Sequence, residues 1–293
     1  MKELSYCLIV NKASNSGRSF NTISKYSSDI KKTLKNVEIY EVGNTESISE
    51  IAALKANSFD VIVACGGDGT ARKVAIGLKD RDVIFGVLPL GSGNDFAKMM
   101  NLPGSVKENL VILKAANTRS LNLVSFNKTF FINTLGIGFD GLTNYLASKA
   151  NLKGAIKYVI SGLKALIDAQ MFEATITTNK EVKRFNTLMI IVANGKWEGG
   201  KYFVSPNSIN NDGLVEVIIL KNISRFRLTI EFLKLSFGYP LSSNLINSLS
   251  VQKADITTST SVYVHADGEV EDNEMSFTIS VYPINLTAIY STL

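Results

Sequence analysis

Val61-Ile62-Val63-Ala64-Cys65-Gly66-Gly67-Asp68-Gly69-Thr70-Ala71-Arg72 carries an apolar run straight into a glycine-rich turn and on toward a helical segment. Residues 61 to 65 have strand length. Glycines placed directly after a strand let backbone amides come close to an anion at a helix N-terminus, so the turn reads as a phosphate cradle. Asp68 adds a carboxylate that phosphate would repel unless a cation intervened, and the magnesium carried by ATP is the simplest such cation. A tight turn without a ligand is the alternative reading.

Working outward, Pro89-Leu90-Gly91-Ser92-Gly93-Asn94-Asp95-Phe96-Ala97 also follows a strand, Val83 to Leu88, and opens a helix. The two loops are expected to converge at one sheet edge, a pairing more specific than either loop alone. Asn94 or Asp95 could instead serve only as a helix cap. Around these loops strand and helix signals alternate: strand Ser5 to Asn11, helix Ser19 to Leu34, strand Val37 to Val42, helix Ser47 to Ala56 and, after the first loop, helices Arg72 to Leu78, Asp95 to Met100 and Lys107 to Ala115. Ser47 and Glu50 have capping-box spacing. Such alternation implies a largely parallel sheet covered by helices, which binds ligands at the carboxyl ends of its strands.

From about Arg119 the pattern becomes strand-rich, with Leu121 to Phe126, Thr129 to Leu135, Phe172 to Thr178, Asn186 to Val192, Leu214 to Leu220, Ser261 to His265 and Met275 to Tyr282. Helical stretches interrupt it near Leu142 to Ala169 and Arg225 to Phe237. The fold class is therefore α/β plus β. The expected division is residues 1–121, rejoined by 284–293, and a β-rich domain over 122–283.

With 293 residues, 45% of them hydrophobic and 19% charged, the chain can bury substantial cores, which excludes disordered and fibrous classes. Its apolar runs are too short for a transmembrane segment, and Met1 to Val10 reads as a first strand rather than a secretory signal, so a cytosolic protein is expected. Cys7 and Cys65 lie in strand-like runs and read as buried thiols; no disulfide framework is possible. Lys and Arg at 31 against Asp and Glu at 26 suit anionic partners. Basic residues are spread without a nucleic-acid module, and no nucleic-acid partner is expected. His265 is the single histidine, which excludes a multi-histidine metal site.

The Gly-Gly-Asp-Gly-Thr loop, the Pro-Leu-Gly-Ser-Gly-Asn-Asp-Phe-Ala loop, Asp212-Gly213-Leu214 and Asp267-Gly268-Glu269 occur in the order found in diacylglycerol and related lipid kinases, a family the chain resembles along nearly its whole length. The resemblance implies an N-terminal nucleotide-binding domain like that of NAD kinases and a β-sandwich-like C-terminal domain, with the active site in the cleft between them. It implies ATP- and Mg2+-dependent phosphorylation of a lipid hydroxyl, with diacylglycerol the first acceptor, at the membrane surface by peripheral contact. It also allows a homodimer.

Carried over by the same resemblance, the nucleotide is held by Gly66, Gly67, Asp68, Gly69, Thr70, Ala71 and Arg72, by Gly91, Ser92, Gly93 and Asn94, and by Thr45, Asn11 and Arg18. Asp68, Asp95 and Glu269 are the catalytic candidates. Glu269 corresponds to the general base, a role with clear chemistry because a lipid alcohol is a poor nucleophile until a carboxylate takes its proton. The alternative, a plain acidic hairpin turn over Ala266 to Glu271, is compatible with that role, since Asp-Gly is a strong turn signal and the turn would present the Glu. Structural Mg2+ falls to the Asp212 carboxylate and the carbonyls of Ile209 and Leu214, with an ordinary turn as the alternative. The chain departs from the family pattern at Lys12, in place of a proline, at one extra residue before Ser16-Gly17-Arg18, and at Arg72 and Lys73, where many members have Asn and Glu. Ser92 replaces the commoner Thr and keeps the hydroxyl.

Two helical stretches are ambiguous. Lys149, Lys153 and Lys157 form a basic face beside an apolar one of Ile156, Val159, Ile160, Leu163, Leu166 and Ile167, which suits either a membrane contact or a solvated face over a buried one. Phe226, Ile230, Leu233 and Phe237 recur at helical spacing and are expected to pack into the core. The rival functions are an NAD kinase, which the second loop and Asp267-Gly268-Glu269 disfavour, and a catalytically silent sensor, which Asp68, Asp95, Asp212 and Glu269 disfavour.

Overall fold

The alternating first part forms β1 (Tyr6–Asn11), α1 (Arg18–Lys25), α2 (Ser27–Leu34), β2 (Val37–Val42), α3 (Ile48–Lys55), β3 (Val61–Gly66), α4 (Asp68–Gly77), β4 (Ile84–Pro89), α5 (Asp95–Met99) and α6 (Val106–Ala115) in a computed structural model. It describes residues 3–12, 14–43, 45–151 and 155–292. Lys153 and Leu293 lie outside the described residues, as does the side chain of Ser16. The expected single helix from Ser19 to Leu34 is two helices, divided at Tyr26. Ser47 caps α3, its hydroxyl accepting the Glu50 N–H at 3.4 Å.

The strand-rich part supplies β5 (Thr118–Leu121), β6 (Val124–Phe126), β7 (Thr129–Phe131), β8 (Thr134–Gly138), α7 (Phe139–Lys149), α8 (Ala155–Asp168), β9 (Phe172–Thr177) and β10 (Val182–Thr187). It continues with β11 (Met189–Ala193), β12 (Trp197–Glu198), β13 (Tyr202–Phe203), β14 (Val215–Leu220), α9 (Arg225–Ser236), β15 (Ile246–Val251), β16 (Lys253–Ala266), β17 (Glu269–Val281) and β18 (Leu286–Ile289). Two compact units result, one of residues 1–123 with 283–293 and one of residues 124–282.

The first unit is a six-stranded sheet in the order β2-β1-β3-β4-β18-β5. β1 to β4 run parallel, β18 joins β4 in parallel, and β5 closes the edge antiparallel to β18. β3 is buried along its whole length, which explains its unbroken apolar sequence: a parallel strand covered on both faces has no polar side. Strand order reverses between β1 and β3, so the carboxyl ends of those strands flank a topological switch point.

The second unit is an antiparallel sheet in the order β15-β14-β11-β8-β16-β17-β6-β7, with β9 pairing both β10 and β16. The long β16 pairs β9 through Asp255–Thr258 and β8 through Val264–Ala266, with an irregular register against β17 between those segments. This bend folds the sheet over one core that includes Ile190, Val192, Val217, Ile219, Phe277 and Ile279. The alternate residues Met189, Ile191 and Ile218 face a second core that takes in Leu166, Leu228 and Phe232 of α8 and α9. β11 thus reads as apolar throughout because both its faces are covered.

One expectation fails here. Phe226, Leu233 and Phe237 are exposed, and α9 buries Leu228, Glu231, Phe232 and Leu235 instead. The helix carries two apolar stripes, and its rotation is fixed by the Glu231 carboxylate, which accepts the N–H and the hydroxyl of Ser242, beyond the helix, at 2.9 and 3.1 Å. α8 likewise buries Ala165 and Leu166 but leaves Ile156, Ile160, Leu163 and Ile167 exposed.

Candidate active site

In the first unit the candidate residues gather at the carboxyl ends of β1 to β4. Gly66 stands opposite Pro89 in the register of β3 and β4, and the Leu90 N–H donates to the Gly66 carbonyl at 2.8 Å. Beyond that pair the two loops touch through backbone. A Cβ on Gly91 would lie 2.4 Å from the Gly67 Cα, and one on Gly67 would lie 3.1 Å from the Gly91 Cα. Only glycine fits at Gly91. A Cβ on Gly66 would fall 2.5 Å from the Thr70 hydroxyl, so the start of the first loop is equally restricted.

α4 begins at Asp68, earlier than the expected Arg72, so Gly69, Thr70 and Ala71 belong to its first turn. The Asp68 carboxylate reaches across to the second loop and accepts the Phe96 N–H at 3.0 Å, satisfying a free amide at the start of α5. Burial pushes this carboxyl up, against the N–H groups of Phe96, Asn94 and Asp95 that favour its charge. Asn94 adopts a left-handed conformation at φ 55° and closes its own loop: its Oδ1 accepts the Gly91 N–H and its Nδ2 donates to the Gly91 carbonyl, both at 2.9 Å. Asp95 is buried, with Lys98 Nζ 3.6 Å away.

Asn11, at the end of β1, donates to Thr70 Oγ1 at 3.4 Å across the switch point. Ser19 donates to the Leu90 carbonyl at 3.3 Å, which fastens the start of α1, with exposed Arg18, beside the second loop. Thr45 is exposed in the turn after β2, and Ser92 is exposed at the tip of its loop. Arg72 is buried in α4, and Lys73 is half-buried beside it.

In the second unit the remaining candidates share one sheet edge. Asp267 and Gly268, with φ of 49° and 79°, form a two-residue hairpin between Ala266 and Glu269, which is paired in register. Positive φ at both positions is what a type I′ turn requires, and Asp-Gly meets it. The Asp267 carboxylate accepts the N–H groups of Ile132, Asn133 and Thr134 at 2.9, 2.8 and 3.0 Å. Asn194 donates to the Ile132 carbonyl at 2.7 Å, and Ser208 donates to the Ala193 carbonyl at 3.2 Å. A chain of polar contacts thus runs from the Glu269 turn to the loop that holds Ile209, Asp212 and Leu214. There the exposed Asp212 carboxylate accepts the Leu214 N–H at 2.9 Å, and Gly213 turns the chain at φ 78°.

The sequence reading missed a buried cluster behind this edge. His265 Nε2 lies 3.0 Å from Asp140 Oδ2 and 3.1 Å from Glu198 Oε1, while Nδ1 accepts the Gly268 N–H at 3.2 Å. Burial and the neighbouring Asp140 push the Glu198 carboxyl up to about 7. Burial opposes charge on His265, but the two carboxylates outweigh it and raise its affinity for a proton. With Nδ1 accepting from Gly268 the ring is in its neutral form, its proton on Nε2 and directed at the carboxylates; the second proton that those carboxylates favour would go to Nδ1 and displace the Gly268 contact. The available signals were glycines flanking carboxylates, at Gly136-Ile137-Gly138-Phe139-Asp140-Gly141 and Trp197-Glu198-Gly199-Gly200.

Residues 5–126 match the diacylglycerol kinase catalytic domain, and residues 133–290 match the YegS C-terminal NAD kinase beta sandwich-like domain. A Bacillus subtilis protein named diacylglycerol kinase is 30% identical over 240 residues, covering 78% of this chain and 76% of that one. A Yersinia pestis protein named "Probable lipid kinase YegS-like" is 30% identical over 237 residues, covering 78% of each. The fold is shared with a crystal structure of a diacylglycerol kinase from Bacillus anthracis, at TM-score 0.77 and 20% identity over 100% of this chain and 98% of that one. It is shared more distantly with an NAD kinase from Archaeoglobus fulgidus in complex with ATP, at TM-score 0.54 and 18% identity over 98% and 94% of the chains. Loops, sheet and second unit together define a kinase. The chain belongs to the diacylglycerol kinase and YegS-like family of lipid kinases.

Proposed function

We propose that this kinase transfers the γ-phosphoryl group of ATP, with Mg2+, to the hydroxyl of a membrane lipid, diacylglycerol being the first acceptor to test. The observation that carries the reading is the backbone apposition of Gly67 and Gly91, which leaves two amide-rich loops at one edge of a parallel sheet with no side chain separating them. Residues Gly66 to Arg72 and Gly91 to Asn94 would line the phosphate site, with Asn11, Arg18, Thr45 and Ser92 adding donors at the same edge; the N–H groups of Gly91, Thr70 and Ala71 are engaged within the loops, by Asn94 Oδ1 and the Gly67 carbonyl. Asp68 would act mainly by joining the loops, since its carboxylate already holds the Phe96 amide.

Glu269 would accept the proton of the lipid hydroxyl as it attacks. Its turn suits that task because Asp267 is tied to three backbone amides and gives the carboxylate a fixed base. The donor set at 209–214 fits a hard cation that keeps several waters: one exposed carboxylate with carbonyls on a glycine-bent loop. Asp212 with the carbonyls of Ile209 and Leu214 would hold Mg2+, whose charge would brace that loop. The His265 cluster does not suit Mg2+, because its ring nitrogen directed at the carboxylates carries a proton.

Access to a lipid acceptor is supported by the exposed stripe Ile156, Ile160, Leu163 and Ile167 on α8, beside Lys157 and Lys164, and by exposed Phe226 in the first turn of α9 and Phe237 just after its end. No helix among the described residues is long and apolar enough to cross a membrane, so contact by these faces would be peripheral, from the cytosol. Transfer of labelled γ-phosphate to a panel of mixed-micelle lipids, with NAD in a parallel reaction, tests the proposal. A labelled lipid is expected, and Glu269→Gln should lose about 10²–10⁴-fold in turnover with ATP affinity little changed. Labelled NADP, or full turnover in the variant, would overturn it.

A further inference from the structure

The Glu269 turn is fastened from two sides. Asp267 holds it to the start of β8, and the Gly268 N–H, on a residue otherwise exposed, donates to His265 Nδ1 at 3.2 Å. His265 is itself wholly buried and stands between Asp140 and Glu198, at 3.0 and 3.1 Å from Nε2. Gly136, its partner in β8, has no room for a side chain: a Cβ there would lie 2.2 Å from both Asp140 Oδ2 and His265 Nε2. The imidazole is thus clamped on every polar atom.

Three such groups within 4.8 Å of one another could also hold a metal. Binding through Nε2 would require a lone pair on that nitrogen and a proton on Nδ1, pointing at the Gly268 N–H. Two donors would then face each other. The contact to Gly268 therefore favours a proton on Nε2, shared between the carboxylates, over a metal ion.

We propose that His265 is a positioning residue for phosphoryl transfer: its Nδ1 holds the Gly268 amide and so fixes the direction of the Glu269 carboxylate, while Asp140 and Glu198 set the tautomer and orientation of the ring. The catalytic consequence rests on the reading of Glu269 as the base. A carboxylate that must meet a lipid hydroxyl gains from such clamping, because misplacement by about 1 Å can cost about 10²-fold in rate.

The test uses full-length wild type, His265→Leu, His265→Asn and His265→Gln, each verified as folded by its melting transition. Asn places an amide oxygen near the Nδ1 position, whereas the longer Gln carries its amide to the Nε2 position, toward the carboxylates and away from Gly268. Two quantities are measured: hydrogen exchange at the Gly268 amide in 15N-glycine-labelled protein, and kcat and KM on mixed micelles of diacylglycerol and anionic phospholipid. In the Leu and Gln variants, Gly268 should exchange at least about 10-fold faster and kcat should fall about 10- to 100-fold, with the KM for ATP unchanged. The Asn variant should recover most of both. Unchanged Gly268 exchange in His265→Leu, equal losses in Asn and Gln, or one tightly bound metal per chain that disappears in His265→Leu would each overturn the proposal. Full turnover in Glu269→Gln would instead remove the reading of Glu269, and Gly268 exchange would still decide the contact.

Discussion

Glu198 holds its proton to unusually high pH because it is buried beside a second carboxylate. The groups around it are Asp140 on α7, His265 on β16 and, a step further, Tyr202 on β13, whose hydroxyl is itself pushed up by burial and by these carboxylates. With the Glu198 carboxyl moved from its ordinary 4.5 to about 7, the folded chain keeps a proton that the unfolded chain has already released across that window. Stability attributable to this group is therefore greatest below pH 4.5 and falls as pH rises toward 7. Urea unfolding at a series of pH values should show this decline in wild type and a flatter profile in Glu198→Gln; parallel profiles would contradict it. Trp197, the single tryptophan, is adjacent and should report the same transition near pH 7 by fluorescence. None of this could be read from the sequence, because His265 and Asp140 meet across 125 residues and no spacing rule links them. The Asp-Gly turn was legible, since its two positive φ values are a local requirement.

At the scale of elements, the two glycine loops were legible for a similar reason: each follows an apolar strand and opens a helix, and parallel strands bring such turns to one edge. Their direct contact is a tertiary fact, and it predicts unequal tolerance. Gly91→Ala would drive a Cβ into the Gly67 backbone at 2.4 Å, where no flexible side chain can yield, so the loops must separate. A destabilisation of about 1–3 kcal/mol is expected, with ATP binding weakened at least about tenfold if the loops hold phosphate. Gly104→Ala, where an added Cβ meets nothing within 4 Å, serves as the control. Denaturant midpoints and titration calorimetry would read both effects; equal behaviour of the two variants would show that the contact is not restrictive. α9 shows where element-level reading fails. Periodicity established a helix, but with two apolar stripes it could not say which one is buried; Glu231 and Ser242 supply that choice through contacts beyond the helix.

The α/β plus β class was legible for the whole molecule because the hydrophobic pattern changes character along the chain, and a change of pattern survives errors in individual elements. The path of the chain has a further consequence. β18, at the C-terminal end of the sequence, lies inside the first sheet between β4 and β5, with Leu286, Ala288 and Ile289 buried. Without it β4 becomes an open edge and β5 loses its partner, so the first unit cannot be completed until the last residues are present. The second unit is one continuous segment with cores of its own. Truncation after Tyr282 should therefore abolish the cooperative unfolding of the first unit, whereas an isolated 124–282 fragment should still melt cooperatively. Circular dichroism and dye binding to exposed apolar surface would follow each unit. A cooperative two-unit melt in the truncated chain would show that β18 only seals an edge the sheet can spare; its loss would make return of the C-terminal strand the late, long-range step that completes the sheet carrying the two glycine loops.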